Sequence, residues 1–372
     1  MTDPRILKLA DILVNYSCAV KKGEALLLEA IDVPHAFSKA IVAAVAKAGG
    51  KPLVMLKSNE INRALMIAGD GGQWDLIAEI EKRQMQSVQC YIGARGNANI
   101  SELSDVPGDK QKKYESTVWE RVHHQVRIKK TRWCVLRWPS PSMAQMAEMS
   151  TEAFEDFFFN VCTMDDRRMA KAMQPLVKLM NKTDKVRLKG PGDTDLTFSI
   201  KGIPAIPCDG KVNIPDGEVF TAPVRDSVNG VIQFNCPTIY RGTTHNDIRL
   251  TFQDGRIVEA TSTAAHKLNE VLDTDAGSRY VGEFAIGFNP YCTKPMKDIL
   301  FDEKIAGSIH FTPGSCYDEA SNGNKSKIHW DMVMRQDPAV GGGEIYFDGK
   351  LIRKNGQFVV KELLGLNPEN LK

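Results

Sequence analysis

The sequence lacks the features that are typical of secreted, membrane-embedded and nucleic-acid-binding proteins. No apolar run approaches the roughly 20 residues that a membrane-spanning helix needs. The N-terminus, MTDPRILKLADILVN, carries early charges and no uninterrupted apolar stretch of the signal-peptide kind. No basic tract with interleaved aromatics occurs, and 48 lysines and arginines are nearly balanced by 46 aspartates and glutamates. We therefore expect a cytoplasmic protein that binds neither membranes nor nucleic acid.

Paired cysteines and nucleotide-binding fingerprints are also missing. Eight cysteines are scattered with no CxxC pair and no zinc-ribbon spacing, in a chain of 372 residues that needs no disulfides to form a core. We expect reduced thiols that pack mostly as small apolar side chains. The loop GARGNAN at residues 93–99 matches neither the P-loop nor the dinucleotide-binding motif, so we interpret it as a plain connection after a strand.

The patterns that are present predict two domains. From residue 1 to 185, helical spacing alternates with short apolar strands, which is typical of an open, mostly parallel α/β sheet. From residue 186 to 372, turn dipeptides such as Asp254-Gly255 and Asn355-Gly356 separate alternating runs, which predicts a largely antiparallel β domain. The expected fold class is therefore α/β followed by α+β, with one interior helix near residues 262–272.

The second predicted domain carries polar side chains on strands that are otherwise suited to burial. In Ile328–Met332, the two-residue period of a strand points His329 and Asp331 to one face and the three apolar side chains to the other. His310 interrupts an apolar strand in the same way, and Glu283 has only small neighbours on its own face. A buried carboxylate is costly unless it is paired or bound to a metal. Three such strands in one region predict a shared partner for these groups.

Two further acidic residues enlarge this set. Glu218 follows a Pro-Asp-Gly turn at the start of a strand, and Glu303 precedes the strand of His310. Four carboxylates and two imidazoles are too many ligands for one tetrahedral zinc ion. They suit two divalent ions about 3.5–4 Å apart that share a carboxylate, as in aminopeptidases and phosphatases. Such a mixed set accepts zinc, cobalt, manganese or magnesium.

Five strings of the sequence resemble the thermophilic metallo-aminopeptidase family. They are IPDGEVFTAP, VGEFAIGFNP, ILFDEKIAGSIHFTPG, NGNKSKIHWDMV and GGGEIYFDGKLIRKNGQFV, in this order. The metal ligands that the resemblance implies are Glu218, Glu283, Glu303, His310, His329 and Asp331. The segment before the first histidine is longer than in some relatives, so the neighbouring Asp302 stays open as the alternative to Glu303.

The resemblance also implies an activity, cofactors and an assembly. The expected enzyme hydrolyses the N-terminal peptide bond of peptide substrates and binds two divalent metal ions per chain. The expected assembly is a homodimer whose N-terminal domain helps to enclose the site. Tyr317 corresponds to a tyrosine that steadies the reacting carbonyl, and we assign Glu283 as the carboxylate that accepts a proton from the attacking water.

Two other functions stay open on the residues alone. His310, His329 and Asp331 match a site with two histidines and one carboxylate for ferrous iron, as in a ring-cleaving dioxygenase, which is similar in fold to this family. Glu218 and Glu283 argue against it, because a mononuclear oxygenase does not need them. The other hypothesis is a non-catalytic, metal-stabilised protein that binds peptides. It is disfavoured by the number of acids.

Overall fold

The computed structural model describes residues 2–372, which form two compact units. The first unit comprises the chain up to Thr163 together with Gly210–Pro215, and the second comprises Met164–Asp209 and Asp216–Lys372. The division lies earlier than the expected residue 185, because the helices that follow Thr163 carry apolar side chains into the core of the second unit. Those side chains are Met169, Met173, Leu176 and Met180.

The first unit is built around a parallel five-stranded sheet. In chain order its strands are β1 Ala25–Ile31, β2 Lys51–Lys57, β3 Cys90–Arg95, β4 Arg132–Arg137 and, from the later segment, β8 Asn213–Ile214. Their order across the sheet is β2-β1-β3-β4-β8, and every pair is parallel. The prediction of a mostly parallel α/β sheet is thus confirmed. The interior strand β1 is buried on both faces, as a sheet covered by helices requires.

Helices connect these strands. They span Pro4–Ile12, His35–Lys47, Asn59–Ala68, Gly72–Gln86, Gly108–Tyr114 with its continuations Glu115–Arg127 and Ile128–Lys130, Pro141–Met146 and Thr151–Cys162, and a π-helical turn spans Leu13–Ser17. No helix of residues 2–372 has both the length and the apolar character to cross a membrane.

The second unit is largely antiparallel β, which confirms the other half of the predicted fold class. Its strands are β5 Lys185–Lys189, β6 Asp195–Ser199, β7 Ile206–Cys208, β9 Glu218–Thr221, β10 Asn229–Gln233, β11 Thr238–Tyr240, β12 Thr243–His245, β13 Arg249–Gln253, β14 Arg256–Thr261, β15 Val281–Gly287, β16 Ser308–Pro313, β17 Met332–Arg335, β18 Glu344–Phe347, β19 Lys350–Lys354 and β20 Gln357–Phe358. One sheet has the order β14-β13-β10-β6-β5-β18-β19-β20 and another the order β17-β16-β15-β9-β7, while β11 and β12 form a hairpin.

Short helices complete the second unit. They span Asp166–Ala172, Gln174–Met180, Ala265–Leu272, Ile299–Asp302 and Pro368–Leu371, with 3₁₀ turns at Arg225–Ser227, Asp318–Ala320, Pro338–Val340 and Lys361–Leu366. The first two of these helices follow each other directly. The second of them begins with a proline in its first turn, where proline is tolerated because its missing N–H has no partner within the helix.

The five-stranded sheet of the second unit presents two unlike faces. Phe284 of β15 and Phe311 of β16 are fully buried, and both pack against Phe198, with ring centroids 5.0 and 5.1 Å from it. The alternate residues Glu283 and His310 point to the opposite face. The predicted alternation of apolar and ionisable side chains on these two strands is confirmed.

The predicted strand at Ile328–Met332 needs a correction. Only Met332 belongs to β17, and the residues before it are extended but leave the ladder apart from a single bridge between His329 and Gly314. The neighbouring strand ends at Pro313, which has no N–H to donate, so regular pairing stops there. The predicted orientation nevertheless holds, because the three apolar residues of the run lie in the core.

Candidate metal centre

All six ligands predicted from the sequence lie in the second unit. They are Glu218 in β9, Glu283 in β15, Glu303 after the helix Ile299–Asp302, His310 in β16, and His329 and Asp331 just before β17. Their ligand atoms form three overlapping groups, within each of which all atoms lie within 4.8 Å of one another. The groups are Glu218 with Glu283 and His310, Glu283 with His329 and Asp331, and Glu303 with His310 and Asp331. Every group contains a glutamate.

Glu283 lies between the two imidazoles. Its Oε1 is 3.1 Å from Nε2 of His310, and its Oε2 is 3.4 Å from Nε2 of His329. Burial by itself raises the pKa of Glu283, but the hydrogen bonds from His310 and His329 outweigh it and lower that pKa. Each oxygen of this carboxylate thus faces a different half of the site.

The orientation of His329 is fixed by its backbone neighbour. Its Nδ1 lies 2.8 Å from the carbonyl oxygen of Ser315, which can only accept, so Nδ1 carries a proton and donates it. Its Nε2 lies 3.2 Å from Oδ1 of Asp331 and 3.4 Å from Oε2 of Glu283, so it donates to these carboxylates while it is protonated and would offer its lone pair to a metal once that proton is lost. The hydroxyl of Thr312 donates to the same Oδ1 at 2.7 Å. These outer contacts orient the pair in the manner typical of metal-binding histidines.

Two buried atoms of the site make no hydrogen bond, and they test whether the residues fit a metal. Oε2 of Glu218 and Nδ1 of His310 lie 3.4 Å apart, and both atoms are buried without a hydrogen-bond partner. Burial by itself lowers the pKa of His310, but the carboxylates of Glu218 and Glu283 raise it to about 10. Carboxylate oxygens and imidazole nitrogens that are buried without a hydrogen-bond partner are the atoms that a divalent cation coordinates. The residues therefore fit a divalent metal centre.

The structure brings Glu303, and not Asp302, to this group. The carboxylate of Asp302 accepts hydrogen bonds from the backbone N–H groups of Met296 at 2.6 Å and Lys297 at 2.9 Å, so it closes a turn away from the ligands. Burial raises the pKa of Glu303 to about 8. The sequence left the choice between Asp302 and Glu303 open. A local turn engages the carboxylate of Asp302, and the carboxylate of Glu303 lies among the candidate ligands.

Sequence reasoning missed Lys304 and Asp216. The ammonium of Lys304 is buried against three carboxylates, at 2.6 Å from Glu218, 2.8 Å from Glu303 and 3.3 Å from Asp216. Burial by itself lowers the pKa of Lys304, but these carboxylates outweigh it and raise that pKa well above its ordinary value. The available signal was the position of a lysine beside Glu303 within an otherwise apolar stretch.

Tyr317 lies at the edge of the site. Its ring centroid is 4.8 Å from that of His329 and 5.6 Å from that of Phe220. The side chain is 49% exposed, so a ligand that reaches the imidazole can also reach the tyrosine.

Comparison with known proteins agrees with this geometry. The family model described as thermophilic metalloprotease (M29) matches residues 2–358. The chain belongs to the M29 family. Its membership implies a divalent metal, which the carboxylate and imidazole groups are suited to bind.

Individual M29 relatives and solved structures are similar over different extents. Aminopeptidase T of Thermus thermophilus is 34% identical over 168 residues, which are 40% of this chain and 40% of that protein. The structure of wild-type AmpT from Thermus thermophilus has a TM-score of 0.79 at 22% identity and covers 96% of this chain and 99% of that one. A 2,5-dihydroxypyridine dioxygenase from Pseudomonas putida KT2440 has a TM-score of 0.61 at 14% identity, with 96% and 98% covered. At these identities the structural matches establish the fold alone.

Proposed function

We propose that this M29 protein is an aminopeptidase, which removes the N-terminal residue of peptides with the help of divalent metal ions. The observation that carries this proposal is the carboxylate of Glu283 between the imidazoles of His310 and His329. The presence of a glutamate in each of the three ligand groups supports a hydrolase over a two-histidine iron site. The name of the similar aminopeptidase T supports the same class of reaction.

The metal centre of this proposal has two ions per chain. Glu218, Glu283, Glu303, His310, His329 and Asp331 would hold these ions. Bound divalent ions supply Lewis acidity toward the peptide carbonyl and lower the pKa of water towards about 7. Zinc, cobalt, manganese and magnesium are all compatible with these ligands.

The side chains of the chain itself move the proton and stabilise charge. In the proposed reaction, an oxygen of Glu283 accepts the proton of the attacking water and delivers it to the leaving amine nitrogen. The hydroxyl of Tyr317 donates a hydrogen bond to the carbonyl oxygen as that oxygen becomes negative.

A comparison of free and blocked peptides tests the proposed function. The purified protein, supplied with Co²⁺ or Zn²⁺, is incubated with a leucyl peptide and with its N-acetylated form, and released amino acids are measured. We expect leucine to be released from the free peptide and the acetylated peptide to stay intact. Equal cleavage of both peptides, cleavage at internal bonds, or no hydrolysis of any aminoacyl substrate in a panel would contradict the proposal.

We further propose a cytoplasmic homodimer, which is the assembly and location that the family resemblance implies. Light scattering coupled to size-exclusion chromatography measures the assembly directly. A mass near twice the 41.3 kDa of the chain is expected, and a mass equal to one chain would refute the homodimer.

A further inference from the structure

A fixed positive charge lies among the candidate ligands. Lys304 is 1% exposed, and its Nζ contacts Oε1 of Glu218 at 2.6 Å, Oε1 of Glu303 at 2.8 Å and Oδ1 of Asp216 at 3.3 Å. The three protons of an ammonium thus meet three carboxylate oxygens. Two of these carboxylates belong to the proposed metal ligands.

The backbone holds Lys304 in this position. Its N–H donates to the carbonyl of Phe301 at 3.0 Å, and its carbonyl accepts from the N–H of Asn289 at 2.9 Å. Because the side chain is buried along its length and the backbone is tied on both sides, the ammonium is a permanent part of the site.

The other half of the site has a different electrostatic environment. Glu283 and Asp331 have histidine imidazoles as their ion-pair partners, and His329 contacts both of them. An imidazole that releases its proton becomes a metal ligand, so these partners give way to a cation, whereas the ammonium of Lys304 stays a competing charge. The carboxylates on the Lys304 side already share their charge with a resident cation.

We infer that Lys304 makes the two metal positions unequal. This inference rests on the proposed metal centre and goes beyond it. An ion bound by Glu218 and Glu303 shares both carboxylates with the ammonium and is repelled by it at short range, whereas an ion bound by Glu283, His329 and Asp331 takes no carboxylate that contacts the ammonium. The position formed by Glu283, His329 and Asp331 therefore binds its ion first. The position beside Lys304 binds its ion with an affinity that is lower by about tenfold or more.

A Co²⁺ titration of the full-length, chelator-treated protein measures this inequality by calorimetry and visible absorption. The wild type is expected to bind two Co²⁺ ions in steps whose affinities differ by about tenfold or more. Lys304→Met keeps the length of the side chain but removes the charge, and it should tighten the weaker step by about tenfold. Lys304→Arg keeps the charge and should leave the two steps separated. If the second Co²⁺ ion binds the wild type too weakly to be measured and is detected only in Lys304→Met, that result supports the inference equally.

Two equal steps in the wild type, or a weaker step that loosens in Lys304→Met, would overturn the inference. Failure of the wild type to bind any Co²⁺ would instead refute the proposed metal centre. Asp216→Asn provides a second test that does not depend on the stability of Lys304→Met. It leaves the ammonium to Glu218 and Glu303 alone, so the weaker step should loosen further, by about threefold to tenfold.

Lys304→Met and Asp216→Asn are expected to change the affinity of the weaker step in opposite directions. This difference distinguishes an electrostatic role of Lys304 from a purely structural one. If Lys304 only supported the fold, then Lys304→Met and Asp216→Asn would both weaken metal binding. Circular dichroism before each titration shows whether the variants are folded.

Discussion

Oε1 of Glu283 lies 3.1 Å from Nε2 of His310, and this contact joins two strands that are hydrogen-bonded neighbours in the sheet. The second oxygen of Glu283 faces His329. The residue is buried and links the two imidazoles of the site. Its removal should therefore affect metal binding and hydrolysis more than it affects the fold.

We predict that Glu283→Gln keeps the fold and lowers the rate of aminopeptide hydrolysis by about 10²–10⁴, the range for loss of a general base. The measurement is the rate on a leucyl peptide together with the melting temperature. Glu259→Gln, an exposed glutamate outside the site, is the matched control and should retain activity. Near-normal turnover in Glu283→Gln would remove this residue from the proposed mechanism.

Tyr317→Phe tests the proposed hydrogen bond to the developing oxyanion. The half-exposed side chain contributes little to the core, so the variant should be as stable as the wild type. Turnover should fall by about 10²–10³ if the hydroxyl acts as an oxyanion donor. Steady-state kinetics give kcat and KM separately, and the loss should appear in kcat. A loss of less than about threefold would show that the hydroxyl of Tyr317 does not act as an oxyanion donor.

Gly217 positions the strand that carries Glu218. Its φ is +133°, and a Cβ at this position would lie 3.0 Å from the Cβ of Asn289 and 3.2 Å from its backbone. Gly217→Ala should therefore cost about 1–3 kcal/mol of unfolding free energy and weaken metal binding, because the strand must shift.

Gly349→Ala is the control for this prediction. Its φ is +80°, but an added Cβ meets no atom within 4 Å, so only backbone strain applies. Urea unfolding of both variants compares the costs. Equal unfolding free energies and unchanged metal affinity would show that the crowding around Gly217 is harmless.

His123 in the first unit gives a pH-dependent prediction. The residue is buried and accepts a hydrogen bond from Arg127 at 3.2 Å, and burial lowers the pKa of His123 from an ordinary 6.5 to about 4. Between these values the unfolded chain binds a proton that the folded chain does not. The contribution to stability is therefore complete above pH 6.5, is lost as the pH falls to 4, and amounts to about 3 kcal/mol.

His123→Gln should remove this part of the pH dependence. Unfolding by urea at pH 7 and pH 4.5, with chelator present throughout, compares the variant with the wild type. His266→Gln is the control, because His266 is exposed. If His123→Gln and the wild type lose equal stability between the two pH values, the buried histidine does not contribute as predicted.

Local periodicity was enough to predict the fold class and the orientation of the ionisable side chains. The alternation around His310 and around His329 depends only on neighbouring residues, and the structure confirms the faces to which they point. The choice between Asp302 and Glu303 depends on a turn at Met296 and Lys297, which no short-range pattern encodes.

Contacts between distant parts of the chain account for what the sequence did not reveal. Lys304 meets Glu218 across 86 residues of sequence, so its burial against carboxylates becomes visible only once β9 and β15 are paired. The short strand β8 likewise joins the first sheet from a segment that lies between strands of the second unit. Helical spacing could not place the domain boundary, because it does not show which core a helix packs against.

Metal content by mass spectrometry, measured together with hydrolysis of leucyl peptides before and after chelation, distinguishes a metal-dependent aminopeptidase from an iron dioxygenase. We expect two divalent ions per chain when metal is in excess, loss of hydrolysis on chelation, and recovery with cobalt or zinc. One iron ion per chain and no peptide hydrolysis would contradict this expectation. That result would favour the ring-cleaving dioxygenase suggested by His310, His329 and Asp331.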